Sequence, residues 1–400
     1  MMRKPTLPSP PGPIAPGLEA WRGIVAVLLA GASLLLSAPS HAQAGVSGSP
    51  VQLHAQVLAE GLEHPWALAF LPDGRFLVTE RVGRLRVIEP DGRLREPVAG
   101  LPPIEVGGQG GLLDVITDRE FAANRRIFFC FTEPGAGGNS TALASASLST
   151  DLRRLASLQV IFSQNPKLPG RHHFGCRIVE LPDGTLALTL GERFNRMEDA
   201  QRLDNHLGKV VRIGKDGSVP SDNPFVGRPG ARPEILSYGH RNAQGAVLGT
   251  DGRLWMHEHG PQGGDEINRI EPGRNYGWPV ITYGERYGGG PIGEGITARE
   301  GMEQPIHYWT PSIAPSGMAL LASDRYGPAW RGSLFIGSVK FDFLTRVEIQ
   351  GDRVIREERV LQTRGQWIRD VREGPDGLLY LLNDSRNGRL LRLLPSPPAR

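Results

Sequence analysis

Residues 238–245 read Tyr-Gly-His-Arg-Asn-Ala-Gln-Gly, and residues 257–268 read His-Glu-His-Gly-Pro-Gln-Gly-Gly-Asp-Glu-Ile-Asn. A turn and a short apolar strand, residues 248–256, separate the two runs, so both emerge at strand ends, where binding and catalytic groups are usually placed. Arg241 is a permanent cation with a donor fork, and Asn242 adds an amide. Gly260 and Pro261 present carbonyls without bulky side chains, while Asp265 and Glu266 present hard carboxylate oxygens. These types suit an anion, a quinone carbonyl or calcium. The competing reading makes Arg241 and Glu266 ordinary ion-paired turn residues.

Other positions have types that would complete such a site. Gln109 sits in a glycine-rich run, residues 107–111, which enters a strand but lacks the helix start and the lysine of a phosphate loop, so no nucleotide site is expected. His172 and His173 precede another strand. An imidazole titrates near neutrality and suits a general base, and alternation along a strand admits only one of the two to a given site. Lys340 follows the strand-like residues 334–337, and Arg369 precedes the last Asp-Gly turn. Taken singly, each of these cations is ordinarily a solvated surface charge. No HxxxH spacing points to zinc, and no Gly-x-Ser-x-Gly elbow points to a serine hydrolase.

Residues so far apart meet only in a fold whose strand ends converge. A phrase of apolar strand, Asp-Gly turn and second strand recurs at residues 64–80, 178–188, 246–255 and 371–380, with degenerate copies at 111–131 and 318–337. Six such units, with 52 Gly, 34 Pro and few long helical patterns, predict an all-β fold: a six-bladed β-propeller with four-stranded antiparallel blades, in preference to paired β-sandwiches. Gln109, His173, Arg241, Lys340 and Arg369 would then line one mouth of the central channel as a cationic pocket, with residues 193–207 and 283–305 as insertions on the rim.

Charge is nearly balanced, 45 Lys plus Arg against 42 Asp plus Glu, which suggests no dedicated nucleic-acid surface. Basic Arg3, Lys4 and Arg22, an apolar run over residues 23–36 and then Ala42-Gln43-Ala44 predict a signal peptide, residues 1–44. Cleavage after Ala44 would leave residues 45–400 as one propeller domain, periplasmic or secreted, without stable membrane insertion. Cys130 and Cys176 both lie beside strand-like residues, where a disulfide and two buried thiols are equally compatible with the sequence.

Taken in order from about Leu58 to Leu394, the chain resembles the soluble PQQ-dependent aldose sugar dehydrogenases of the glucose/sorbosone dehydrogenase family. The likeness is carried by residues 108–113, 173–177, 208–212, 222–225, 239–245, 258–261, 265–268 and 275–279. It implies that His173 is the base that removes the sugar hydroxyl proton while hydride leaves C1 for the quinone. It implies that Gln109 lies over the cofactor and that Arg241 and Asn242 polarise and hold the quinone. By the same resemblance Lys340 and Arg369 hold the PQQ carboxylates, Gly260 and Pro261 bind the cofactor's calcium, and Glu266 and Tyr276 bind a second, structural calcium. The implied partners are an aldose sugar, oxidised at C1 to the lactone, and an external electron acceptor.

Two positions depart from the family pattern. His172 stands where glucose-oxidising members have an acidic residue, which removes a carboxylate that could orient His173. Trp367 stands where the family often has an arginine, which removes one cofactor cation, with Arg364 as a candidate replacement. The loop after Gly191-Glu192 is short, which favours broad aldose specificity. The rival readings are a calcium-dependent propeller lactonase and a non-enzymatic binding propeller of the hedgehog-interacting kind.

Overall fold

The recurring Asp-Gly phrase is a hairpin device. At Asp73-Gly74, Leu71 N donates to Arg75 O at 2.9 Å and Asp73 Oδ1 accepts from Arg75 N at 3.2 Å. The turns at Asp183-Gly184, Asp251-Gly252 and Asp376-Gly377 repeat both bonds. Gly74 takes a φ of 82°, a left-handed value at which a Cβ would be strained.

The computed structural model describes residues 51–396; the expected leader, residues 1–44, lies outside the described residues. Six antiparallel sheets form the blades of a β-propeller. Their innermost strands are Pro65–Phe70, Leu112–Thr117, Gly175–Glu180, Ala243–Leu248, Pro315–Leu320 and Ile368–Glu373. Each pairs with the next strand in the chain: Phe76–Glu80, Arg126–Gly135, Leu186–Leu190, Leu254–Glu258, Leu334–Ser338 and Leu379–Asn383. These six hairpins are the six units read from the sequence. Five sheets have four strands; the first has three, and its outer edge is continued by the bridge between Ile88 and Leu94 and by backbone bonds from Arg95 N to Val87 O and from Val98 N to Leu85 O.

The innermost strands touch their neighbours in a closed ring. The last blade takes its outermost strand from the other end of the domain, with Leu53–Leu62 pairing antiparallel to Gly388–Pro395. Because each blade is covered on both faces, strands near the centre are apolar without alternation. Phe128, Phe129 and Phe131 on strand Arg126–Gly135 are all fully buried, each contributing about 1.5–3 kcal/mol of hydrophobic stabilisation. Cys130, between them, is disulfide-bonded to Cys176 on the next blade's innermost strand, which resolves the choice that spacing left open. Among the described residues no helix is long and apolar enough to cross a membrane.

Hairpin register fixes which residues share an end of the ring. Gly175 pairs with Leu190, Ala243 with Glu258, Pro315 with Ser338 and Ile368 with Asn383. Residues at or just before the start of an innermost strand and just after its partner therefore lie at one mouth: His173 and Arg241 precede such strands, Lys340 follows a partner strand, and Arg369 is the second residue of Ile368–Glu373.

Candidate active site

His173 is 4% exposed, while its neighbour His172 is exposed, so one imidazole enters the site as expected. The cause is not strand alternation: His173 precedes strand Gly175–Glu180 and holds a left-handed φ of 52°. Its N–H donates to Gln109 Oε1 at 2.7 Å, and its Nδ1 lies 2.6 Å from Glu192 Oε2. A carboxylate only accepts, so Nδ1 carries the proton and Nε2 keeps its lone pair. Burial holds the imidazole pKa below its ordinary 6.5, and Glu192 pulls it partly back. The loss of an acidic residue at position 172 therefore does not leave the base unoriented: Glu192, which follows strand Leu186–Leu190, supplies the carboxylate.

Arg241 and Asn242 are buried before strand Ala243–Leu248. Glu258, at the end of the partner strand, accepts from Arg241 N at 2.5 Å and from His240 Nδ1 at 2.9 Å, fixing the backbone at this corner. The Arg241 guanidinium lies over the Trp278 ring and donates to the carbonyls of His259, at 3.1 Å, and Gly260, at 2.8 Å. Arg241 Nε and Asn242 Nδ2 are buried without a partner among the described residues. Unpaired buried donors are costly, and two at one corner fit a ligand with acceptor oxygens such as a quinone.

A cavity of about 200 Å³ has Trp66, Gln109, Gln244, His259, Trp367 and Arg369 in its wall; His173, Arg241 and Asn242, expected in one pocket with Gln109 and Arg369, do not line it and touch it only through neighbours, His173 through Gln109 and Arg241 through the His259 carbonyl. Arg369 forks onto Asp384 Oδ2 at 2.6 and 3.1 Å, and Asp384 Oδ1 lies 2.7 Å from His64 Nδ1. Burial opposes ionisation of Asp384, but Arg369, His64 and Arg81 outweigh it and bring its pKa down to about 2. His259 bonds Pro315 O at 2.7 Å; burial lowers its pKa to about 4, so it is neutral at pH 7. Lys340 stands apart from this wall: it is exposed, with Nζ donating to Ser312 O at 3.1 Å, and only its neighbour Val339 lines the cavity.

Gly260, Glu266 and Tyr276 border a second, much smaller cavity with Arg241 and Glu258. Burial raises the Glu266 pKa, and the carboxylates of Glu258 and Asp265 raise it further. Buried acids crowded in this way fit a cation. The Tyr276 hydroxyl is already used, donating to Arg269 O at 2.6 Å and accepting from Glu271 N at 2.8 Å, so it is not a free ligand. Pro261 is buried beside Gly260. Among the described residues, no group of three or more His, Cys, Asp or Glu side chains could hold a metal, so a cation here must rely on carbonyls for much of its shell.

Sequence reasoning also passed over the floor of the site. Arg177 Nη1 lies 2.9 Å from Asp370 and 3.4 Å from Asp114, and Arg372 bonds both carboxylates at 2.9 and 2.6 Å. Arg177 and Asp370 belong to the third and sixth blades, opposite in a ring of six, so their bond crosses the channel. Arg177 also lies over the ring of Trp66, 4.1 Å from its centroid, tying this plug to the cavity wall.

Residues 62–392 match the profile of the Glucose / Sorbosone dehydrogenase family. The chain is 45% identical to the Aldose sugar dehydrogenase YliI of Escherichia coli (strain K12), over 87% of this chain and 94% of that one. A crystal structure of a glucose dehydrogenase superposes with a TM-score of 0.83 at 49% identity, covering 86% of this chain and all of the other. The PQQ-bound form of Aldose Sugar Dehydrogenase from Streptomyces coelicolor superposes with a TM-score of 0.71 at 27% identity, covering 86% and 99%. On the profile match over most of its length and the 45% identity across nearly all of both chains, the chain belongs to the glucose/sorbosone dehydrogenase family.

Proposed function

We propose that this protein is an exported PQQ- and calcium-dependent dehydrogenase that oxidises aldose sugars at C1 to lactones and passes the electrons to an external acceptor. The observation that carries the reading is His173: a neutral imidazole, its Nδ1–H held by Glu192 and its Nε2 without a partner among the described residues, tied through Gln109 to a cation-lined cavity. Gln109, Arg241, Asn242 and Arg369 would hold PQQ, and Lys340 would join them only by turning its ammonium from the Ser312 carbonyl toward the cavity. The carbonyls of Gly260 and Pro261 would hold its calcium, and Glu266 a second, structural one, without the Tyr276 hydroxyl, which is already paired.

When bound, PQQ with its calcium supplies a two-electron acceptor for the hydride that leaves C1. His173 Nε2 takes the proton of the C1 hydroxyl, so that C1 and its oxygen are left as the lactone carbonyl. Glu192 keeps Nδ1–H in place and stabilises the imidazolium that forms. Arg241 and Asn242 aim donors at the position where negative charge develops. The leader-like residues 1–44 support export to the periplasm or beyond. The test is reconstitution: PQQ and calcium added to purified protein should yield dye reduction with glucose, maltose and other aldoses. Hydrolysis of a lactone without PQQ, or strict preference for glucose, would count against this reading in kind or in breadth.

A further inference from the structure

The glycines that flank Gln109 in the run 107–111 have no role in the site as described above, yet their geometry is demanding. Gly111 has a φ of 151°, and a Cβ there would sit 1.8 Å from the carbonyl oxygen of Arg81 and 3.0 Å from its Cγ. Gly108 has a φ of 57°, and its carbonyl accepts a bond from Arg81 Nη1. Both glycines thus touch Arg81, Gly111 by close packing on its backbone and Gly108 through its carbonyl, while the Cα of Gly108 packs on Arg171. Arg81 follows strand Phe76–Glu80, its N–H donates to His64 O at 2.9 Å, and His64 in turn bonds Asp384. The chain therefore holds this arginine at the joint between the first and last blades, next to Arg369.

Arg81 and Arg369 both line the larger cavity, where Asp384 is the sole carboxylate among the described lining residues. The wall thus carries two guanidiniums against one carboxylate. Arg81 is partly desolvated, which disfavours its charge; nearby Asp384 favours it, and Arg369 opposes it. The one carboxylate is bonded to Arg369 and His64 and not to Arg81, so the two guanidiniums in the wall repel each other unless an anion joins them. Arg364, the expected substitute for the arginine missing at position 367, is exposed and does not line the cavity, whereas Trp367 does.

We propose that Arg81, seated by the turn 107–111, is the second guanidinium that grips the acidic end of the ligand in this cavity, restoring the cation displaced by Trp367. The ligand class is an aromatic polycarboxylate, and its identification as PQQ rests on the function proposed above. A guanidinium pairs with a carboxylate through charge-assisted bonds, so its removal should be felt as affinity.

The experiment is direct titration of calcium-supplemented apoprotein, followed by calorimetry, with PQQ and separately with benzene-1,2,4-tricarboxylate. Arg81→Gln should weaken PQQ binding about 10- to 100-fold at unchanged melting temperature. Arg81→Lys should fall between Arg81→Gln and the parent protein, and Arg364→Gln should match the parent. Trp367→Arg placed in the Arg81→Gln background should recover affinity. A folded Arg81→Gln protein that binds both compounds like the parent would overturn the proposal. If the parent takes up the tricarboxylate in an Arg81-dependent way but not PQQ, the clamp stands and the PQQ reading falls. If the parent binds neither, both fall.

Discussion

Glu192 Oε2 accepts two bonds at once, from His173 Nδ1 at 2.6 Å and from the backbone N–H of Phe194 at 3.0 Å. One carboxylate thus orients the candidate base and pins a residue with a left-handed φ of 67°, whose ring meets His173 edge-on at 5.2 Å. In Glu192→Gln the side chain stays polar but loses the charge that stabilises an imidazolium. The reconstituted variant should lose about 10²-fold in kcat while PQQ uptake is unchanged. Steady-state dye reduction together with a PQQ titration checks this; equal kcat would remove Glu192 from the chemistry.

The same pair sets a pH dependence. Burial lowers the His173 pKa below 6.5 and Glu192 raises it again, so the neutral base predominates at pH 7 and kcat/KM should fall on the acid side with an apparent pKa below 6.5. Removing the carboxylate removes the raising influence, so in Glu192→Gln the acid limb should move to lower pH. A limb that moves to higher pH would contradict the assigned contact.

Glu266 makes a prediction about stability. Its folded pKa is raised above the ordinary carboxylate value of 4.5 by burial and by Glu258 and Asp265, so between those two pKa values the folded state binds more protons than the unfolded one. Metal-free protein should therefore lose stability as pH rises above about 4.5 toward the raised pKa. Calcium should oppose the loss by taking the place of the proton. Melting curves of chelated and calcium-replete protein across this range test it, and Glu266→Gln should flatten the slope and shrink the calcium effect together. An unchanged slope in the variant would point to another group.

Lys209 is fully buried, and its Nζ donates to the carbonyls of Asp199, Ala200 and Leu207 at 3.1, 3.0 and 2.5 Å. Three acceptors call for a charged ammonium, although burial lowers its pKa to about 7. Lys209→Met leaves those carbonyls unpaired and should cost about 3 kcal/mol, read as a lower midpoint in urea. Because the carbonyls belong to the segment 199–207, just beyond Glu192 and Phe194, a rise in KM for sugar should accompany the loss of stability.

Much of this was legible before the fold was seen. The Asp-Gly phrase located four of the six inner hairpins because the turn is a local device, closed by an Asp side chain and a glycine within five residues, and its degenerate copies marked the other two. Fold and mouth residues followed from it. Glu192 was missed as the partner of His173, although hairpin register alone puts both at one end, since Gly175 pairs with Leu190. Arg81, Asp384 and the Arg177 plug were not legible because their contacts join blades distant in sequence, and a charged residue on a strand reads as solvated until its neighbours are known. Lys340 shows the converse: its place at a strand end was read correctly, but its ammonium turns to Ser312 O and away from the cavity wall.

The most direct measurement loads purified protein with PQQ and calcium, adds glucose without an external acceptor, and follows the cofactor's absorbance through a single turnover in the parent and in His173→Ala. The expected result is glucose-dependent reduction in the parent, and a variant that binds PQQ equally well but is not reduced on that timescale. Reduction at the parental rate in His173→Ala, or a parent that binds PQQ and calcium yet never responds to an aldose, would contradict it.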